Sequence, residues 1–147
     1  MKLTWREASG TDLGLLAEWN HQLTRDEGHR NPMTVEELTA RMQKWLAGEY
    51  RAVIFSDAEP VAYALFKTEK ESIYLRQLFV RRDRRSAGIG RAAISILREQ
   101  IWGHETRLTV DVLSVNPRAI AFYRSVGYRD YCLAMEIEPQ TKKEPNQ

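Results

Sequence analysis

Hydrophobic and polar residues alternate through Leu3-Thr4-Trp5-Arg6-Glu7, the period of a strand with one covered face. Ser9, Gly10 and Thr11 then punctuate the chain. Thr11 is placed to cap a helix on which Leu13, Leu16 and Trp19 recur at helical spacing. A polar stretch, 21–33, follows. Thr34 with Glu37 forms a capping-box pattern, and Leu38, Met42, Trp45 and Leu46 give a second helix an apolar face that Gly48 ends. Two β-rich runs, 50–56 and 61–68, flank Asp57-Ala58-Glu59-Pro60 and predict a hairpin, and 72–80 supplies a further strand.

At Gly88 the period becomes helical: Ile89, Ala93, Ile94, Leu97 and Ile101 form a stripe, and Gly103 stops it. Residues 108–113 read as a strand, Asn116-Pro117 breaks it, 118–126 read as a helix with Gly127 at its C-cap, and 128–137 return to strand. The predicted order is βααβββαβαβ, an α/β fold. At 147 residues the chain suits one domain, placed at 1–138, with 139–147 as a flexible polar tail. Trp5, Trp19, Trp45 and Trp102 fall in element patterns and are expected in the core.

Composition narrows the classes. The hydrophobic fraction of 43% is enough for a core, and a net charge of +2 does not by itself call for a nucleic acid or a membrane. The single Cys132 permits no internal disulfide, no zinc-ligand spacing occurs, and a buried structural thiol is expected. No metal is expected. No apolar run reaches the roughly 18 residues of a membrane span, and the opening MKLTWREASGTDL has no export-type apolar region, so a cytoplasmic setting is expected.

The densest chemical signal follows Leu78-Phe79-Val80. A buried strand runs into Arg81-Arg82-Asp83-Arg84-Arg85-Ser86-Ala87-Gly88-Ile89-Gly90-Arg91 and then into a helix. Free helix-start amides, the positive end of the helix dipole and guanidinium groups would together cradle an anion, most naturally a diphosphate. A solvated basic loop is the alternative. Gly88, Gly90 and Ala93 also satisfy a loose dinucleotide fingerprint with Asp111 about 20 residues on, but such a turn follows its strand at once, whereas a polar stretch intervenes here. A duplex-binding use of Arg81, Arg82, Arg84, Arg85 and Arg91 is disfavoured by the tight glycines.

Two motifs carry a resemblance to a known family. Arg85-x-x-Gly88-x-Gly90 and, about 30 residues on, Asn116-Pro117-Arg118-Ala119-Ile120-Ala121-Phe122-Tyr123-Arg124-Ser125-Val126-Gly127-Tyr128 resemble the signatures of the GCN5-related N-acetyltransferases (GNAT). The resemblance covers most of the chain. It implies a largely antiparallel mixed sheet whose fourth and fifth strands splay apart around acetyl-CoA, and direct acetyl transfer to a primary amine in a ternary complex. It further implies that the amides of Ser86, Ala87, Gly88, Ile89, Gly90 and Arg91, with Arg85, hold the pyrophosphate. Leu78, Phe79 and Val80 would serve the pantetheine arm and acetyl carbonyl through their main chain, with Asn116 and Ala119 alongside. Tyr123 would protonate the leaving thiolate.

The base is less defined, because the strand 72–80 holds no carboxylate or histidine. Gln77 can orient the acceptor or a water. Glu27 or His29, between the first two helices, can take the amine proton. Asp111 is a weaker option and pairs more simply with Arg76 across the strands. The missing acid keeps a non-catalytic acyl-CoA sensor as the alternative function. The acceptor is expected to be a small-molecule or peptide amine, and the sequence leaves monomer and homodimer both open.

Overall fold

The computed structural model describes residues 2–28 and 30–141. β1 (Thr4–Glu7) leads through a short 3-10 turn into α1 (Leu13–Asp26). There follow α2 (Val35–Ala47), β2 (Tyr50–Asp57), β3 (Glu59–Thr68), β4 (Ser72–Val80), α3 (Ile89–Ile96, extended by a π-helical turn through Leu97–Trp102), β5 (Arg107–Val110) and α4 (Pro117–Ser125). The sheet order is β1-β2-β3-β4-β5. Neighbours are antiparallel except β4 and β5, which the α3 crossover makes parallel. The mixed, largely antiparallel sheet agrees with the expectation.

The two-residue period of β2 divides the core. Ala52 and Ile54 meet Leu16, Trp19, Leu23 and Met42 of α1 and α2 on one face. Val53 and Phe55 meet Ile89, Ala93, Ile94, Leu97 and Trp102 on the other. Of the four tryptophans, Trp19 and Trp102 are buried, while Trp5 and Trp45 are only partly covered.

Most local signals read from the sequence are realised. Thr34 caps α2: its Oγ1 accepts from the Glu37 N–H at 3.2 Å, and Glu37 Oε1 accepts from the Thr34 N–H at 3.1 Å. At the first helix Thr11 does not cap: Asp12 holds the N-cap position of α1, and its side chain turns back to the preceding 3-10 turn. The Asp12 carboxylate accepts the Ser9 N–H at 2.8 Å and both Arg6 guanidinium bonds at 2.8 Å, tying β1 to the entry of α1. α1 also runs on through Asp26, into the stretch read as polar connection, because Leu23 and Thr24 are buried beneath it. The hairpin turn tightens to Ala58 alone, at φ +66°.

The expected last strand is the clear departure. Residues 128–138 make no ladder with the sheet, and β5 ends at Val110 rather than 113. Tyr131, Leu133, Met135 and Ile137 are 71–99% exposed. Alternation there predicts a strand, but a strand needs a neighbour, and this chain supplies none at that edge. Cys132, expected to be buried, is exposed for the same reason.

The Arg6 bonds, with burial opposing and the Ser9 amide adding, hold Asp12 down to about 2. Replacing it by Asn should cost about 1–2 kcal/mol, discounted because Arg6 is half exposed. Since the folded carboxyl titrates below its unfolded value, this stabilisation is present above pH ~4 and fades as pH falls toward 2. Urea titrations of parent and Asp12→Asn should differ in midpoint at pH 7, and the difference should narrow steadily as pH falls from ~4 toward 2.

Candidate active site

The site begins with one extra residue in β4. β3 and β4 pair in step from Ala62↔Val80 to Leu65↔Gln77, and resume at Phe66↔Leu75. Arg76 is unmatched and bulges. β5 pairs with β4 only over Ser72↔Arg107 to Leu75↔Val110, so the parallel ladder stops at the residue before the bulge. Beyond it the two strands part, as the sequence resemblance implied.

Register decides which main-chain groups the opening receives. The Arg81 N–H donates to the Val61 carbonyl at 2.9 Å, so by alternation Phe79 also turns its main chain to β3. Leu78 and Val80 turn theirs away from β3, toward the opening. The expectation that Phe79 offers main-chain groups is therefore corrected. Its ring is instead buried and stacks on Trp19 and Tyr63, with centroids 5.2 and 5.9 Å away.

The loop after β4 is clamped from within. Arg85 Nε donates to the Val80 carbonyl at 2.8 Å, and Arg82 and Arg85 both bond Asp26 at the end of α1. Arg84 pairs with Asp57, and Arg81 with Asp83 and Glu59. These arginines therefore shape the loop and are not held in reserve for an anion. What remains for one is main chain. Ser86 and Gly88 adopt left-handed conformations at φ +62° and +82°, and no side chain caps α3, leaving the first amides from Ile89 onward unclaimed.

Gly90 has a different task. A Cβ there would stand 3.1 Å from the Phe122 ring, so the glycine lets α3 lie against α4. The two sequence motifs thus touch. Asn116 Oδ1 accepts the Ala119 N–H at 3.2 Å and caps α4, leaving its Nδ2 for other bonds. Tyr123 is half-buried, packed edge-on against Phe122 and Tyr128 at 5.1 and 5.4 Å. Burial first, then the charges of Glu27 and Tyr128, push its hydroxyl up, so it is a protonated donor at neutral pH.

Glu27, at the end of α1, is the other candidate the structure brings close. Burial and the Asp26 charge raise it to about 7, with Arg85 opposing. It lines a cavity together with Tyr74, Arg76 and Gln77 of β4. His29 lies outside the described residues. Gln77 is buried and engaged: its Oε1 accepts from Tyr63 Oη at 2.8 Å and its Nε2 donates to Asn20 Oδ1 at 2.9 Å. It is first a wall of the site, with one donor and one acceptor position left over. Asp111 accepts from Tyr74 Oη at 3.0 Å and makes no ion pair with Arg76, so the cross-strand pair expected from the sequence is not formed.

Leu23, Thr24, Glu27, Asn31, Arg41, Tyr74, Arg76, Gln77 and Asp111 enclose a cavity of about 160 Å³ behind the bulge. The sequence did not single out Arg41 or Tyr74. Nothing local marks them, since each acts across more than 30 residues or from another element.

A profile of the Acetyltransferase (GNAT) family matches residues 16–128. No curated protein sequence matches the chain. Among solved structures, a variant of protein BH1408 from Bacillus halodurans is 24% identical, covering 93% of this chain and 99% of its own at a TM-score of 0.78. An acetyltransferase from Thermus thermophilus is 25% identical over 88% of each chain, at 0.72. AAC(6')-Iy, in complex with the bisubstrate analog CoA-S-monomethyl-acetylneamine, is 14% identical over 96% of this chain and 100% of its own, at 0.74. With the family profile spanning both motifs and the interrupted sheet, the chain belongs to the acetyltransferase (GNAT) family.

Proposed function

We propose that this acetyltransferase moves an acetyl group from acetyl-CoA directly to a primary amine, with both held at once. The observation that carries this reading is the ladder broken at Arg76, because it frees the main chain of Leu78 and the N–H of Val80 beside the uncapped start of α3. An extended arm ending in phosphates suits that opening: strand-like main chain meets the arm, and left-handed Ser86 and Gly88 with the α3 amides meet the phosphates. CoA bound to the structurally similar AAC(6')-Iy supports the same occupant.

Acetyl-CoA supplies a thioester whose carbonyl carbon accepts the amine nitrogen while the sulfur departs with the bonding pair. Glu27, with its carboxyl raised to about 7, takes a proton from the amine, directly or through one water. A main-chain N–H of Leu78 or Val80 donates to the carbonyl oxygen as charge develops on it. The Tyr123 hydroxyl gives its proton to the sulfur. Gln77 holds the wall through Tyr63 and Asn20.

The non-catalytic sensor loses its main motive, since Glu27 supplies from α1 the base that β4 lacks. The internal pairing of Arg81, Arg82, Arg84 and Arg85 speaks for a small ligand over a duplex. A reducing cytoplasm suits a chain with one cysteine.

Thiol release from acetyl-CoA on an amine panel tests the reading. At saturating acetyl-CoA, kcat/KM should rise with pH through a midpoint near 7 and level off above it, because the base acts unprotonated. Glu27→Gln should flatten that limb and lower the plateau about 10²-fold. A parent profile with no limb between pH ~6 and ~8 contradicts the assignment. Tyr123→Phe should lower kcat by about 10² while leaving the calorimetric affinity for CoA within about twofold. An unchanged kcat removes Tyr123 from proton transfer.

A further inference from the structure

The wall of the cavity behind the bulge is electrically divided. Glu27 and Asp111 lie on it, and so do Arg41 of α2 and Arg76 of the bulge. The two guanidinium groups sit over the same Trp45 ring, 4.3 and 4.6 Å from its centroid. Neither makes an ion pair with any described carboxylate, in contrast to the arginines of the loop after β4. Arg76 Nη1 reaches only the Tyr50 hydroxyl, at 3.3 Å, and Arg41 Nε is buried without a partner. Two like charges gathered over one ring, one with an orphaned buried donor, form a site that an anion completes.

Resting on the acetyl-transfer reading above, we propose that the acceptor carries a carboxylate besides its amine, the carboxylate bound by Arg41 and Arg76 and the amine directed to Glu27. The cavity's volume suits a small acceptor, and its two guanidinium groups favour an amino carboxylate over a neutral or polycationic amine. A polycation would meet two unneutralised guanidinium groups.

The test compares the common L-amino acids with their carboxamides, which keep the amine and remove the charge. Both binding in the presence of CoA and thiol release from acetyl-CoA are read. At least one amino carboxylate should exceed its carboxamide about tenfold or more in affinity or kcat/KM. Arg41→Gln and Arg76→Gln should each shrink that ratio several-fold, and Arg→Lys at either site should restore part of it. If no carboxylate exceeds its amide, or if the ratio survives both glutamine variants, the inference falls. If amino carboxylates bind selectively but no thiol is released, it is the acetyl-transfer reading that fails.

Discussion

The one constraint on which the rest depends is the mismatch of a single residue between β3 and β4. Arg76 cannot be paired, so β4 leaves β5 after Leu75, and main-chain groups that a regular sheet would consume are left open to a ligand. A site made in this way costs little to maintain, because the unpaired strand edge is short and opens on a cleft. The loop and α3 that follow simply continue the opened edge.

Keeping the wedge open requires support from both faces. On one side, Tyr63, Gln77 and Asn20 form a buried hydrogen-bonded chain from β3 through β4 to α1. On the other, Gly90 admits the Phe122 ring, so α3 and α4 are held at close range. Asp26 then ties the loop to the end of α1 through Arg82 and Arg85. Burial raises its carboxyl, but the two arginine bonds more than offset that and hold it below its usual range. The ionised Asp26 beside Glu27 is in turn part of what lifts Glu27 toward neutrality. The clamp that shapes the cofactor loop thus also tunes the candidate base.

Much of this was legible in the chain. The capping box at Thr34, the stops at Gly48 and Gly103, the strand 72–80 and the glycines opening α3 were signals of local chemistry, and local chemistry survives folding. Tyr123 and the loop 86–91 were singled out by the two motifs and the family resemblance they carry. What was hidden depends on register or on distant partners. Nothing in SIYLRQLFV announces that Arg76 is the residue left over, that Phe79 turns its main chain to β3, or that Gln77 is spoken for by Tyr63 and Asn20. The last strand shows the converse: alternation at 128–137 is correct as pattern, but pattern does not supply the neighbour a ladder requires.

Hydrogen exchange of backbone amides with and without acetyl-CoA probes the opened edge most directly. The account expects saturable protection confined to Leu78, Val80 and the amides of 86–91, with Phe79 and Arg81, already bonded to β3, unchanged. Protection absent from this edge, or spread evenly through β4 including Phe79, would contradict it.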